Sequence, residues 1–321
     1  MRSHNILILA AALATLTSCT LLSPAYGDGT EERPEPVAKI IDVHRHGTWP
    51  TGDDDAYRSQ MLSEMSQNGV RLAVISITDY DDVETWKNVA PDAFLVGVML
   101  GCPRNLAEPR YNCFPADEGW VDIEWLRTMV EHGKIEAIHE VIPNYYGVSV
   151  GNPRYDPYFA LAEEYDLPVG VHTQRGPPPK AINSMRSDSD CCPDYDPEMG
   201  NPALLRRVLE RHPNLRVWIQ HVGAGRAGSY EPHWDETLAL LRDYPQVNVD
   251  LSITNGPLPI ELYDESLRIL IEAGFDDRIM MGTDNIPTAL VLGRLESIEW
   301  LSEDQREAIL YKNAERFFQL K

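Results

Sequence analysis

Two imidazoles stand one residue apart in Asp42-Val43-His44-Arg45-His46. In an extended chain, alternate residues share a face, so His44 and His46 would point the same way about 6.6 Å apart along the strand. That spacing suits two nitrogens converging on one metal ion. A single pair of this kind is also common at an ordinary strand end. The pattern becomes specific only with its partners further along. His172 and His221 each close a later apolar run, and Asp284 closes another. A satisfied core histidine explains one such residue well and four poorly. Imidazoles plus a carboxylate around a hard divalent ion, with one position open, lower the pKa of bound water to about 7. Asp284 would take that water's proton and pass it to a leaving group. His221 would polarise a substrate carbonyl or support the oxyanion. Zn²⁺ suits the donor set, as one ion or two, and the ligands alone do not exclude Mn²⁺ or Fe²⁺.

Residues so distant in sequence need a scaffold that gathers strand ends. From residue 39 onward, short apolar runs alternate with amphipathic stretches. Strands are predicted at 39–46, 71–77, 93–100, 135–142, 167–173, 215–221, 246–252 and 278–284. Most are apolar on both parities, as parallel strands covered on both faces should be. Helices are predicted at 55–68, 82–89, 122–132, 155–165, 201–212, 234–243, 260–273 and 288–298, with a last one near 303–318. Eight strand–helix units point to a single-domain α/β fold, a (β/α)₈ TIM barrel over 39–321, whose strand C-termini form one rim. No glycine-rich phosphate loop follows the first strand, which disfavours an open dinucleotide-binding sheet. The long connections 101–120, 143–154 and 174–200 all leave that rim.

The fourth strand carries both His139 and Glu140. Alternation allows only one of them to face the lumen. Glu140 is the expected one, as a metal ligand or as the carboxylate that orients a histidine. Lys134 sits at the wrong end of this strand. Arg175 and Arg226 follow two of the histidine-bearing strands and could clamp a substrate carboxylate. Trp49, Tyr145 and Tyr146 are placed to wall a pocket, and Pro177-Pro178-Pro179 would stiffen its mouth.

The His-x-His pair, the strand-end histidines and the last aspartate resemble the amidohydrolase superfamily of metal-dependent barrels. Three segments resemble its amidohydrolase-related, aminocarboxymuconate-semialdehyde decarboxylase-like branch: Tyr158-Phe159-Ala160-Leu161-Ala162-Glu163-Glu164, Leu167-Pro168-Val169-Gly170-Val171-His172-Thr173 and Arg278-Ile279-Met280-Met281-Gly282-Thr283-Asp284. The resemblance spans 39–321. It implies that His44, His46, His172 and Asp284 are metal ligands. It also implies that His221 binds a second metal or contacts substrate, and that strand four supplies a bridging group. Three readings follow: a hydrolase of a small ester, lactone or amide, a metal-dependent decarboxylase of a small carboxylic acid, or a non-catalytic cell-surface binding protein.

The N-terminus reads as an export signal. Arg2 precedes an apolar stretch at 6–16, and Leu16-Thr17-Ser18-Cys19 resembles a lipobox that would lipidate Cys19 after removal of 1–18. Residues 19–38 read as a flexible tether. The expected location is the periplasm or cell surface through this lipid anchor, or secretion if Ala25-Tyr26-Gly27 is cleaved instead. In an oxidising compartment Cys102, Cys113, Cys191 and Cys192 suggest disulfides, with Cys102–Cys113 the first choice. The balance of 28 Lys+Arg against 50 Asp+Glu gives a net charge of −22. Such a surface repels phosphate backbones, so a small-molecule substrate is the expected partner, with self-association open. No later segment approaches the ~18 apolar residues a membrane span needs.

Overall fold

The computed structural model describes residues 39–47, 54–100, 114, 120–175, 196–224, 232–256 and 258–320. Eight strands run in chain order around one sheet: β1 Ile40–His46, β2 Val70–Ile77, β3 Phe94–Leu100, β4 Ala137–Val141, β5 Val169–His172, β6 Val217–Gln220, β7 Val247–Asp250 and β8 Ile279–Met280. Each pairs in parallel with the next. The ring is drawn closed by backbone bonds from Val43 N–H to the Met281 carbonyl (3.0 Å) and from Asp284 N–H to the His44 carbonyl (2.8 Å). This is the (β/α)₈ barrel that the alternation predicts.

The outer layer is α1 Asp54–Gln67, α2 Asp82–Val89, α3 Ile123–Glu131, α4 Asp156–Glu164, α5 Arg206–Arg211, α6 Trp234–Asp243, α7 Ile260–Glu272 and α8 Thr288–Glu296, with α9 Glu303–Glu307 and α10 Asn313–Phe317 at the end. Local chemistry sets several boundaries. The Asp122 carboxylate caps α3 by accepting from Trp125 N–H, and Ser302 and Gln305 form a capping box at α9. The helix predicted over 201–212 begins instead as a 3₁₀ turn, Pro202–Leu205, because Asn201 caps a proline-led start. The terminal helix loosens into a π turn at Ala308–Lys312 between α9 and α10.

The core has two parts. Helices pack on the outside of the strands through a continuous apolar layer. Inside, Ile41, Val43, Leu72, Val74, Ala137, Trp218 and Met280 fill the lower lumen, and Ala314, Phe317 and Phe318 close it from below. Gly170 on β5 makes room for the largest of these. A Cβ there would lie 2.4 Å from the Trp218 ring and 2.7 Å from Gln220 Nε2. Trp218 cannot yield, since Phe317 and Phe318 flank it at ring distances of 5.8 and 5.4 Å. Gly170→Ala therefore lowers stability by about 1–3 kcal/mol, read as a lower urea midpoint at unchanged slope.

Two bulges turn this floor into a functional rim. Between Asp42 and Arg45, β1 advances three residues while β2 advances two. Ile41 and Val43 thus face the floor, and His44 and His46 still reach the lumen above it. Between Ile138 and Val141, β4 gains one residue over both of its neighbours.

Candidate metal centre at the barrel mouth

The β4 bulge corrects the expectation that only one of His139 and Glu140 faces inward. Both do, because the extra residue breaks the two-residue alternation. The His139 ring lies 4.8 Å from that of His44. The Glu140 carboxylate lies 3.9 Å from His44 Nε2, 3.8 Å from His46 Nε2, 2.7 Å from His172 Nδ1 and 3.4 Å from His221 Nε2. It is the hub of the cluster.

Two other residues sit differently from the prediction. β6 ends at Gln220, so His221 begins a 3₁₀ turn with φ of 61°. β8 is only Ile279–Met280, and Asp284 lies in the following turn with φ of 50°. Val222, Ile253 and Asn285 also have positive φ. Such left-handed conformations cost about 1–3 kcal/mol each and persist only where surroundings over-determine them. Here the surroundings do so through hydrogen bonds. Asp250 Oδ1 accepts from His221 N–H at 3.1 Å, and Asn285 Oδ1 accepts from His46 N–H at 3.2 Å. The strands stop short because these turns, not further ladder bonds, aim the side chains into the mouth.

Asp284 Oδ1 lies 2.8 Å from His46 Nε2 and 3.8 Å from His44 Nε2, so His44, His46, Glu140, His172, His221 and Asp284 meet in one place. Three donor triads, His44–His221–Asp250, His44–His46–Glu140 and Glu140–His172–His221, each offer ligand atoms within 4.8 Å of one another. The Nε2 atoms of His44 and His172 are buried and have no hydrogen-bond partner. A buried polar atom left unpaired is costly, and an ion is what such a nitrogen lacks. The donor set therefore fits a divalent cation.

The electrostatics agree. Burial alone would lower the His44 imidazole, but Asp250, Asp284 and Glu140 outweigh it and raise its pKa to about 10. Burial would raise Asp284, yet the His46 hydrogen bond and the nearby imidazoles bring it to about 2. Glu140 is likewise held well below the usual carboxylate range, with His172 and His221 overcoming its burial. Burial and the His44 charge push His139 down, so it stays neutral. Asp284 and Glu140 thus remain ionised, as does Asp250, which His44 holds below its usual range against its burial, and a proton on His44 occupies a place that a cation could take.

Sequence reasoning missed Asp250 at the end of β7, Ser252 just beyond it, and Asp42 within β1. Asp250 is fully buried, and its Oδ2 accepts from His44 Nδ1 at 3.0 Å, the bond that turns His44 Nε2 inward. Its signal was present: a carboxylate closing an apolar run, as His172 and His221 close theirs. Asp42 Oδ2 accepts from Arg45 Nε and Thr283 Oγ1, each at 2.6 Å. It thereby ties β1 to the turn that bears Asp284.

Arg175 is half-buried and already paired. Its Nε donates to His233 Nε2 at 2.9 Å, and it pairs with Glu198 at 3.3 Å. Tyr145 sets its ring 5.6 Å from that of His172, edge to face. Arg226, Trp49, the Tyr146 side chain, Pro177–Pro179, and Cys19, Cys102, Cys113, Cys191 and Cys192 lie outside the described residues, as do the leader and tether. Among the described residues no helix is long and apolar enough to cross a membrane.

Comparison with known proteins locates this site in a family. No curated protein matches the chain. Solved structures do. A probable 2-pyrone-4,6-dicarboxylic acid hydrolase of Acinetobacter baumannii with citric acid bound is 16% identical, with 88% of this chain and 99% of that one covered and a TM-score of 0.60. A 5-carboxyvanillate decarboxylase of Sphingomonas paucimobilis is 13% identical, covering 88% and 100%, with a TM-score of 0.57. A 2,6-dihydroxybenzoate decarboxylase from Rhizobium is 16% identical, covering 88% and 99%, with a TM-score of 0.56. At these identities the likeness is one of fold. The amidohydrolase family model, however, matches residues 41–320, nearly the whole described barrel, and the chain belongs to the amidohydrolase family.

Proposed function

We propose that the protein is a metal-dependent hydrolase acting on a small ester, lactone or amide, with Zn²⁺ the most fitting ion. The convergence of His44, His46, Glu140, His172, His221 and Asp284, with two orphaned imidazole nitrogens among them, carries this reading. These residues would hold the ion, as one centre or as two. A divalent ion there supplies Lewis acidity and brings a water it holds to a pKa of about 7. Asp284, ionised and partly open to solvent, accepts the proton of the attacking water and returns it to the leaving group. Glu140 neutralises and orients the imidazoles, and Tyr145 covers one side of His172.

The similar structures carry names of both hydrolases and decarboxylases, so the choice of reaction rests on the site. A decarboxylase needs a cation to grip the substrate carboxylate. Of the two candidate arginines, Arg175, the one among the described residues, is already engaged by Glu198 and His233, and the strongly acidic composition repels anions. Both features support a neutral substrate. The small-molecule partner and the exported, lipid-anchored location remain part of this proposal on the sequence grounds given above.

The test pairs two assays on zinc-loaded protein: proton release from a panel of lactones and esters, and CO₂ release from enolic and aromatic carboxylic acids. Proton release alone is expected. CO₂ release without ester or lactone turnover would replace the hydrolase reading with the lyase.

A further inference from the structure

Asp250, which orients His44, and Ser252 beside it are fully buried at the end of β7. They join the two histidines that face each other across the mouth. Asp250 Oδ1 accepts from Ser252 N–H at 3.0 Å and from His221 N–H at 3.1 Å. Ser252 Oγ lies 2.5 Å from Asp250 Oδ1, 2.8 Å from His221 Nδ1 and 3.1 Å from His44 Nδ1.

Two oxygens that close need a proton between them, and an ionised carboxylate has none to give. Ser252 therefore donates its single hydroxyl proton to Asp250. Only lone pairs remain for the imidazoles, so the proton in the contact with His221 must sit on Nδ1. The Ser252 carbonyl, which can only accept, lies 3.4 Å from the same nitrogen. On the other side of the ring, His221 Nε2 lies 3.1 Å from His172 Nδ1. His172 Nδ1 also sits 2.7 Å from Glu140 Oε1, an acceptor, and so carries its own proton. His221 Nε2 is thus the acceptor in its 3.1 Å contact with His172, the shorter of its two, the other being the 3.4 Å approach to Glu140 Oε1.

We propose that Ser252 is a positioning residue that fixes His221 as the Nδ1–H tautomer and turns its Nε2 lone pair toward the His172 Nδ1 proton. His221 then serves as a metal ligand or proton acceptor, and not as a hydrogen-bond donor to an oxyanion. This choice between the two roles rests on the metal-centre reading for its consequence, but the tautomer itself does not.

The experiment has two arms. Nitrogen-15 NMR of histidine-labelled, metal-free protein is recorded above the ordinary imidazole titration range, with His221 assigned by its loss in His221→Gln. Isothermal titration then measures Zn²⁺ affinity. Wild type is expected to show His221 protonated at Nδ1. Ser252→Ala is expected to show a tautomer mixture and about 10- to 100-fold weaker Zn²⁺ binding, as for other residues that orient a metal-binding histidine. An Nε2-protonated His221 in wild type overturns the proposal, whatever the variant does. So does Ser252→Ala with an unchanged His221 spectrum and affinity within about twofold of wild type. If wild type binds no Zn²⁺, the metal reading fails, while the wild-type tautomer still decides the role of Ser252.

Discussion

Replacing His172 with Ala should leave the barrel folded, empty the metal centre and lower kcat/KM by about three orders of magnitude. His172 Nε2 is buried without a partner, and burial holds the imidazole below the usual range. Removing it strands no opposite charge, because Glu140 keeps His44, His46 and His221 within 3.9 Å. What disappears is a neutral donor at the ion. Loss of a bound divalent ion forfeits several kcal/mol of charge stabilisation in the transition state, and each 1.4 kcal/mol is a factor of ten. Metal content by mass spectrometry and unfolding followed by circular dichroism separate the two effects. A folded variant with full metal content would remove His172 from the ligand set.

Asp42→Ala should act through stability, and strongly. Asp42 is fully buried, and its carboxylate accepts from Arg45 Nε, Thr283 Oγ1, Thr283 N–H at 2.9 Å and His44 N–H at 3.2 Å. Arg45 is itself 2% exposed, and among the described residues its side chain otherwise reaches Glu64 and Thr288. Cutting the close partner from a buried ion pair costs about 3–5 kcal/mol, and the more distant, partly exposed Glu64 at 3.4 Å compensates the Arg45 charge poorly. The same carboxylate anchors the turn before Asp284, so the variant that does fold should also bind metal more weakly. A urea midpoint within error of wild type would show that Arg45 finds another partner.

The barrel was legible because parallel strands buried on both faces leave apolar runs with turn chemistry at either end, and eight of them recur here. His44, His46, His172, His221, Glu140 and Asp284 were legible for a related reason: polar residues that close apolar runs have few structural explanations. Alternation failed on β4, where one extra residue brings His139 and Glu140 to the same side, and nothing in the local composition announces a bulge. Strand ends were overextended at His221 and Asp284 because left-handed turns built from non-glycine residues carry no sequence mark. Asp250 and Ser252 went unread since their work is done on other side chains across the ring, through contacts that separations of 29 to 208 residues conceal. The arginine reading of Arg175 gave a plausible clamp, and the structure instead ties that side chain to Glu198 and His233.

The most direct test is an anomalous-scattering map at the zinc edge from crystals of protein purified without chelator and supplied with Zn²⁺. A peak is expected at the barrel mouth, with imidazole nitrogens about 2.0–2.1 Å away and His44 and His172 among the donors. A map with no peak there, or with the ion held elsewhere by other residues, would contradict the metal centre and the hydrolytic chemistry built on it.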